Sequence, residues 1–416
     1  MSQSTSQQQL QDYFEDNLKI YLDLLREMVS INSFTANPVG INALGKFTAN
    51  VFAKLGFVGE AVQSVHADFG QHLILTKPGT SGRTIGLVSH LDTVFPPEEE
   101  VRNNFAWREV DEKIYGPGTV DIKGGTVLIY MILAALKTFD PEMFETITWV
   151  ILLDAEEERG GTGFGELCID RLGSEALACF VFEMGLLRDN TFSIVEKRKG
   201  MAQYRVTVTG RSAHAGNRHQ DGANAVVQLA EIIEKIAALT DHDQQLTYNV
   251  GIVSGGTGMN RVPHEAEAFV EMRAFEQDIF EQGIADMLAL QEQVSIRSLT
   301  DDYPCHIEID VIRKTPPWPQ NPGTAKLHKL WTETAESMGM AVHPEARGGL
   351  SDGNHIWHAF PTLDGLGPSG GNMHCSEQSD DGTKEQEYVD ANSMVPKATL
   401  NALALMRLIE EAVNQT

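Results

Sequence analysis

The chain has 416 residues, of which 42% are hydrophobic and 22% charged, as in an ordinary globular enzyme with enough material for large cores. This length suggests two domains. With 32 basic and 58 acidic residues, the formal net charge is −26. That charge argues against a general nucleic-acid or anionic-membrane binder, because either would need a basic face.

The start of the chain and the cysteines bear on the compartment. Residues 1–9 are polar and lack the basic-then-apolar pattern of a signal peptide. No run approaches the roughly 20 apolar residues that a membrane span requires. Cys168, Cys179, Cys305 and Cys375 are scattered without a CxxC pair, which favours buried free thiols over disulfides. We therefore expect a cytoplasmic protein.

The first half of the chain alternates helices with strands. Apolar periodicity predicts helices near residues 9–31, 41–55 and 124–139, and strands near residues 57–65, 72–77, 84–88, 147–153 and 178–182. After residue 95, two prolines and three glutamates are expected to stop any regular structure. This alternation indicates an α/β sheet that is covered on both faces.

The pattern changes at the basic stretch 196–200. Beyond it the sequence predicts a strand near 204–208, a helix near 223–239, strands near 247–253 and 267–274, a helix near 277–290 and a strand near 306–311. This is the order of the split βαβ, or ferredoxin-like, arrangement. We predict an inserted domain over residues 199–311, with residues 1–198 and 312–416 forming one discontinuous domain that closes with a helix near 391–413.

Five patches of imidazole or carboxylate side chains follow predicted strands or lie in loops. They are His90 with Asp92, Asp121 in a glycine-rich loop, the acidic run 156–158, Glu183 and His374. Open α/β sheets bind their ligands at the carboxyl ends of the strands. The sequence therefore predicts that these patches meet.

Each patch has a plainer interpretation when it is taken alone. His90 beside Asp92 is a metal ligand with its orienting partner, a general base, or a hydrogen-bonded histidine at a strand end. Asp121 is a ligand or the N-cap of the following helix. Consecutive carboxylates usually lie in a solvated loop, although after a buried strand they favour cation binding or mutual pKa tuning.

Together the patches suit two divalent metal ions that share a bridging carboxylate and an activated water. The ligands are rich in carboxylates and contain no thiol, which favours zinc, with cobalt or manganese as alternatives. A single metal site or a chance collection of residues is the competing interpretation.

These motifs resemble the M20 family of co-catalytic metallohydrolases, which includes carboxypeptidase G2-like enzymes and aminoacylase relatives. The resemblance spans nearly the whole chain. It rests on motifs in the right order: residues 89–94, 116–118 with Asp121, 123–125, 157–160, 182–183, 212–216, 255–256 with Asn260, His374 and 387–390.

The resemblance implies a zinc-peptidase-like, mixed-sheet catalytic domain that holds a dinuclear metal site. One metal would take His90 and Glu183, the other Glu158 and His374, and Asp121 would bridge the two. A cis peptide is implied between Asp121 and Ile122.

The resemblance also implies roles beside the metals. Asp92 would orient His90, and Glu157 would be the general base that takes a proton from the metal-bound water. The register of the acidic run is open. In the alternative register, Glu156 would be the general base and Glu157 the metal ligand, in place of Glu157 and Glu158.

The inserted domain would be the family's lid and dimerisation domain. His214 would reach across from the partner subunit to stabilise the tetrahedral oxyanion. Asn260 and Arg273 would bind the terminal carboxylate of the substrate, and the glycine loop around Gly349 would line the pocket.

The expected activity is hydrolysis of an amide next to a free carboxylate. The expected substrate is a small peptide, cleaved by a glutamate carboxypeptidase-like enzyme. The alternative is an N-acyl amino acid, cleaved by a deacylase of the acetylornithine or succinyl-diaminopimelate type. A non-catalytic metal-binding homologue is the third hypothesis, and a homodimer is the expected assembly.

Overall fold

The computed structural model describes residues 6–161, 163–174 and 176–414, so the first five residues of the polar start lie outside the described part. The first stretch of the chain alternates helices and strands as expected. Its helices are α1 (Gln7–Val29), α2 (Pro38–Ala53), α3 (Pro97–Arg102), α4 (Gly124–Phe139), α5 (Pro141–Thr146) and α6 (Phe164–Leu172). Its strands are β1 (Val58–Gln63), β2 (Gln71–Lys77), β3 (Thr84–His90), β4 (Arg108–Val110), β5 (Lys113–Tyr115), β6 (Thr148–Asp154), β7 (Ala176–Val181), β8 (Leu187–Arg188) and β9 (Thr191–Arg198).

Helix α3 corrects one expectation, because the segment with two prolines and three glutamates is helical. Pro96 is the N-cap residue and Pro97 is the first helical residue, where its missing N–H costs no hydrogen bond. The three glutamates fill the first turn, where the helix dipole stabilises negative charge. Composition alone suggested a break, but the order of these residues is that of a helix start.

The middle of the chain forms a four-stranded sheet with two helices. Its elements are β10 (Gly200–Thr209), α7 (Ala225–Ala238), β11 (Thr247–Gly255), β12 (Glu265–Ala274), α8 (Gln277–Ala289) and β13 (His306–Thr315). The strand order is β11-β12-β10-β13, and every neighbouring pair is antiparallel. One face of this sheet packs on α7 and α8 around buried residues such as Tyr204, Leu229 and Phe280.

The chain then returns to the first pattern. Its last elements are α9 (Pro322–Ser337), β14 (Ala341–Arg347), α10 (Gly353–Ile356), β15 (Thr362–Leu363), β16 (Gly370–Gly371), β17 (Tyr388–Asp390) and α11 (Ala391–Asn414). Two smaller sheets have the orders β14-β9-β8 and β16-β17-β5-β4.

Two compact units result. The first contains residues 1–196, 320–346 and 351–416, and the second contains residues 197–319 and 347–350. The second unit is wider than the predicted insert 199–311, because β13 continues to Thr315 and the backbone of Arg198 pairs with that of Trp318. The short segment 347–350 also belongs to it, where the Arg198 guanidinium binds the Gly349 and Leu350 carbonyls.

The main sheet of the first unit has the order β1-β2-β6-β3-β7-β15. Its centre is parallel, since β3 runs parallel to β6 and β7, whereas β1 and β2 are antiparallel additions. Every residue of β3 is buried, with Ile85 and Leu87 in the larger core and Val88 in a smaller one that includes Phe164 of α6. This is the mixed α/β sheet, covered on both faces, that the sequence predicts.

The parallel centre positions the site. The last residue of β3, His90, lies opposite Asp154, the last residue of β6. β7 ends at Val181, two residues before Glu183. The side chains that follow these three strands therefore project from one edge of the sheet.

Two expectations about the whole chain can be compared with the fold. Residues Thr119–Phe139 do reach the length and hydropathy of a membrane span, but 89% of their most apolar window is buried inside the protein. This segment contains α4, a core helix beside the central sheet. All four cysteines are free thiols, as expected, and three of them are buried.

Candidate metal centre

His90 lies at the end of β3 and is almost completely buried. Its Nε2 is 3.0 Å from Asp121 Oδ1 and 3.8 Å from Glu183 Oε1, and its Nδ1 is 3.0 Å from the main-chain oxygen of Asp92. Burial lowers the pKa of this imidazole, but the hydrogen bonds to Asp121 and Asp92 outweigh it and hold the pKa well above its usual value. A cation facing the same carboxylates would replace the proton on Nε2 and leave Nδ1–H on the main chain.

Asp121 lies in the turn that leads into α4, and its peptide bond to Ile122 is cis, as expected. Its two carboxylate oxygens face two different histidines: Oδ1 is 3.0 Å from His90 Nε2, and Oδ2 is 3.2 Å from His374 Nε2. Burial alone would raise the pKa of Asp121, but the hydrogen bonds from His374 and His90 hold it well below its usual value. Asp121 is therefore an ionised carboxylate with one oxygen on each side.

His374 and Glu158 complete the other side of Asp121. His374 Nε2 is 3.2 Å from Glu158 Oε2, and the hydrogen bonds to Asp121 and Glu158 raise the pKa of the imidazole to about 11. The His374 side chain is 54% exposed, in contrast to the buried His90. Glu158 lies in a single 3₁₀ turn that begins three residues after the last residue of β6, which places its carboxylate at the sheet edge.

These residues form two groups whose geometry could hold metal ions. One group is His90, Asp121 and Glu183, the other is Asp121, Glu158 and His374, and within each group the possible ligand atoms lie within 4.8 Å of one another. Asp121 belongs to both groups. Imidazole and carboxylate ligands without thiols fit divalent ions such as zinc, cobalt or manganese. All five residues predicted as ligands are thus brought together.

Asp92 does more than lie beside His90. Its carboxylate is 3.4 Å from His90 Nδ1, farther than its own main-chain oxygen. Its Oδ1 accepts a hydrogen bond from the Glu157 amide at 3.1 Å, and its Oδ2 accepts from the Glu158 amide at 3.3 Å and from Thr35 Oγ1 at 2.7 Å. The Asp92 carboxylate therefore caps the turn that carries Glu157 and Glu158.

Glu157 is half-buried beside the two groups. Burial raises the pKa of its carboxyl well above the usual value, the His90 charge opposes this, and the neighbouring carboxylates of Glu158 and Glu183 add to the rise. Glu156 points elsewhere, since it is buried and its Oε1 accepts a hydrogen bond from Ser64 at 2.8 Å. The geometry therefore favours Glu157 and Glu158 as the pair at the site.

The other predicted residues lie in the second unit. His214 is exposed, and its Nδ1 accepts hydrogen bonds from the Gly216 and Asn217 amides, both at 3.1 Å. Because main-chain N–H groups only donate, the hydrogen of the neutral ring is on Nε2, which makes Nε2 a donor. The Asn260 main-chain oxygen binds the Ala215 amide, so His214 and Asn260 are neighbours along this unit's surface.

Arg273 and Gly349 are also close to each other. The Arg273 guanidinium donates to Glu271 Oε1 at 2.6 Å and to the Gly348 carbonyl at 2.8 Å. The Arg198 guanidinium donates to the Gly349 carbonyl at 3.0 Å. The predicted substrate residues therefore do not form one cluster. Asn260 lies in the connection between β11 and β12, whereas Arg273 pairs with Thr247 at the far end of these two strands.

The sequence did not reveal two residues that support the metal centre. Thr35 binds the Asp92 carboxylate from the connection between α1 and α2, where no spacing pattern marks it. Glu387 falls in a stretch with a family resemblance but had no role, and its carboxylate binds the Val120 and Asp121 amides. Burial raises the pKa of Glu387 to about 8, and the charge on Asp121 contributes. Both residues act over long sequence separations, which a motif search does not detect.

Comparison with known proteins is consistent with this site. The chain is 27% identical to carboxypeptidase G2 of Pseudomonas sp. over 398 residues, which cover 94% of this chain and 90% of that protein. It is 26% identical to acetylornithine deacetylase of Pectobacterium carotovorum over 276 residues, which cover 62% of this chain and 68% of that protein.

Solved structures share the fold. A tripeptidase of Staphylococcus aureus superposes with a TM-score of 0.75 at 21% identity, covering 95% of this chain and 99% of that one. A dinuclear metal binding peptidase of Bacillus subtilis superposes with a TM-score of 0.66 at 16% identity, again covering 95% and 99%. The sequence model of peptidase family M20/M25/M40 matches residues 86–401, which is most of the chain. The protein therefore belongs to peptidase family M20/M25/M40 and is a metallohydrolase.

Proposed function

We propose that this metallohydrolase is a carboxypeptidase that cleaves the amide bond next to a free terminal carboxylate. The observation that carries the proposal is the pair of ligand groups sharing Asp121, with the Glu157 carboxylate beside them. The similarity to carboxypeptidase G2 extends over 94% of the chain and supports cleavage of a C-terminal amino acid. Glutamate is the residue that we propose at that position.

Two zinc ions are the proposed cofactors, with cobalt or manganese as substitutes. His90 and Glu183 would hold one ion, Glu158 and His374 the other, and Asp121 would contact both. When bound, such ions lower the pKa of water and polarise a carbonyl oxygen. The ligand set is compatible with all three metals, and zinc is proposed first because imidazole and carboxylate ligands are typical of catalytic zinc sites.

Glu157 is the proposed general base. Its raised pKa makes the carboxylate a better proton acceptor at neutral pH than an ordinary glutamate. It would take a proton from the attacking water and deliver it to the leaving amide nitrogen, so that one carboxyl group serves as base and then as acid. Asp92 holds the amides of Glu157 and Glu158 and so fixes the turn during both transfers.

His214 is the proposed donor to the oxyanion. Its Nδ1 accepts from two main-chain amides, which leaves Nε2–H free to donate to a developing negative charge. Because Asn260 and Arg273 lie towards opposite ends of β11 and β12, the proposed partners of the substrate carboxylate are Arg273 of one subunit and Asn260 of the other, which lies beside His214. A guanidinium is well suited to a carboxylate. Gly349, in the loop bound by Arg273 and Arg198, is the proposed pocket lining.

The second unit is the proposed lid and dimerisation domain. β11 is an edge strand of its sheet, and Ile252 and Val253 on that strand are 60% and 56% exposed. Exposed apolar side chains on an open strand edge favour association with another chain. In the proposed homodimer, His214 of one subunit serves the metal centre of its partner.

A deacylase acting on N-acyl amino acids is the second candidate, and the similarity to acetylornithine deacetylase favours it. Both candidates use the same chemistry and differ in the group on the acyl side of the amide. The test is hydrolysis of a panel of short peptides, folate-like glutamate conjugates, and acetyl or succinyl amino acids by the zinc-loaded protein, with Glu157→Gln as control.

Release of a C-terminal residue from peptides or conjugates would support the carboxypeptidase. Cleavage restricted to acetyl or succinyl amides would replace it with the deacylase. No turnover across the panel by protein that binds two metal ions would contradict both and favour a non-catalytic homologue.

A further inference from the structure

Glu387 connects the two sides of the metal centre. It is completely buried directly before β17, more than 260 positions from Asp121 in sequence. Its Oε1 accepts hydrogen bonds from the Val120 amide at 3.2 Å and from the Asp121 amide at 3.3 Å. Its own amide donates to the Cys375 carbonyl at 2.8 Å, beside His374.

The hydrogen bonds of the Glu387 side chain are needed because the amides it binds lie in an irregular turn. Asp121 has non-helical backbone angles at the entrance to α4, and both Val120 and Asp121 are buried. A buried amide without an acceptor is destabilising, so one carboxylate oxygen that accepts from two amides holds this turn in place. This turn positions the Asp121 carboxylate.

The second oxygen of Glu387 has a different environment. Oε2 is buried and has no hydrogen-bond partner among the described residues. The negative charges of Asp121 and Glu158 act on the same carboxyl group. A third negative charge beside two carboxylates is unfavourable. The hydrogen bonds accepted by Oε1, and not the charge, are therefore what Glu387 contributes to the turn.

We propose that Glu387 is a positioning residue for both metal ions. It holds Asp121, which belongs to both ligand groups, through its side chain, and the His374 segment through its main chain. Removing the acceptor should therefore lower the affinity for both metal ions together. Loss of His374 or Glu183 should lower the affinity for one ion more than for the other. The inference rests on the metal centre of the proposed function.

The test compares two conservative variants. Glu387→Gln keeps a carbonyl oxygen at the position of Oε1 and loses the charge, whereas Glu387→Asp keeps the charge and withdraws the acceptor by one methylene. Glu387→Ala removes both. Glu377→Gln is the matched control, because it removes one charge from an exposed glutamate of the same segment.

The readout is cobalt binding to chelator-treated protein, measured by visible d–d absorption and by calorimetry. Wild type and Glu377→Gln should bind two ions. Glu387→Gln should bind both ions within about threefold of wild type, and Glu387→Asp and Glu387→Ala should bind both at least about tenfold more weakly. Circular dichroism of each metal-free variant checks folding. If Glu387→Ala does not fold, the Gln and Asp variants decide.

Two results would overturn the inference. The first is wild-type affinity for both ions in the Asp and Ala variants. The second is a Gln variant as weak as Ala, which would make charge rather than placement the relevant property. A wild-type protein that binds no cobalt would instead contradict the metal centre itself, so the two failures are distinguishable.

Discussion

Two adjacent carboxylates, Glu157 and Glu158, have different surroundings at the metal centre. Glu158 Oε2 contacts His374, whereas Glu157 has no such ion pair with a histidine among the described residues, and its pKa is raised mainly by burial. We therefore expect Glu157→Gln to lower kcat by about 10²–10⁴-fold, because the amide cannot accept the proton. Metal affinity should change little, since Glu157 belongs to neither ligand group.

The kinetics should be measured on the substrate identified by the panel, with cobalt titration of the same preparation as the control. A variant that retained wild-type kcat while binding two ions would exclude Glu157 as the base. A variant that lost the metal ions would place Glu157 among the ligands instead.

Thr35 gives a second test at the residue scale. Its hydroxyl donates to Asp92 Oδ2 at 2.7 Å, and Asp92 holds the amides of Glu157 and Glu158. Thr35→Val has nearly the same shape but leaves this buried oxygen with one donor fewer, so we expect a loss of about 1–3 kcal/mol in unfolding free energy and a lower kcat.

Thr35→Ser keeps the hydroxyl and is the control for Thr35→Val. Thermal unfolding and kcat should both recover in the serine variant. Equal losses in the serine and valine variants would show that the methyl packing of Thr35, and not its hydrogen bond, is what matters.

At the residue scale, the sequence was informative where chemistry is local. The patches at His90, Asp121, the acidic run 156–158, Glu183 and His374 were predicted because each follows a strand or lies in a loop. The choice of Glu158 from that run came from the family resemblance, and the structure brings the five candidate ligands together. Thr35 and Glu387 were not assigned roles, because their importance comes from hydrogen bonds to partners that are distant in sequence. The sequence around a threonine or a glutamate does not show whether such a hydrogen-bond partner exists.

At the scale of elements, the position of α4 depends on a close approach of backbone. A Cβ added at Gly125 would lie 2.2 Å from the Phe182 carbonyl oxygen, one residue before Glu183. We expect Gly125→Ala to displace this strand end and to destabilise the protein by about 1–3 kcal/mol, as overpacking does. Cobalt affinity should fall too, because Glu183 is one of the candidate ligands.

Gly45→Ala is the matched control for Gly125→Ala. Gly45 lies inside α2, and an added Cβ would lie 3.5 Å from Leu91 Cδ1, an ordinary contact. Here alanine should raise stability by about 0.5–1 kcal/mol through helix propensity. Thermal unfolding distinguishes the two cases, and a stable Gly125→Ala variant with full cobalt affinity would refute the packing argument.

The elements themselves were predicted unevenly from sequence. α4 has the predicted bounds Gly124–Phe139, because its apolar run is long and ends are marked by glycine and aspartate. α3 was missed because proline and glutamate were interpreted by composition and not by position. The boundary of the second unit was misplaced, since the pairing of Arg198 with Trp318 joins residues that are distant in sequence.

At the scale of the whole molecule, the metal-free protein contains buried carboxyl groups whose pKa values are raised. Burial is the main cause for Asp352 and also for Glu387, whose pKa rises from 4.5 to about 8. Between pH 4.5 and about 8, Glu387 keeps its proton in the folded protein but has lost it in the unfolded chain, so the free energy of unfolding falls as pH rises. The raised pKa of His374 acts in the same direction above pH 6.5.

Asp121 does not oppose this trend in the same range. Its pKa is lowered from 3.8, so its contribution is complete above that value and is lost only as pH falls below it. We therefore expect the thermal midpoint of the chelator-treated protein to fall from pH 5 to pH 8, with each group contributing at most about 1.4 kcal/mol per pH unit. Glu387→Gln should reduce the slope, and a midpoint that rises with pH would contradict the assignment.

The proposed dimer leads to the last test. If His214 serves the partner's metal centre, then Glu157→Gln and His214→Ala are defects of different subunits at any one site. A mixed dimer would have one site with intact Glu157 and an intact His214 from the partner. After unfolding and refolding together, an equal mixture of the two inactive variants should regain about a quarter of wild-type activity.

Ile252→Lys, placed in both variants, should abolish the recovery if the exposed edge of β11 forms the interface. Activity no higher than the sum of the separate variants, from a mixture that light scattering shows to be dimeric, would mean that His214 acts within its own chain.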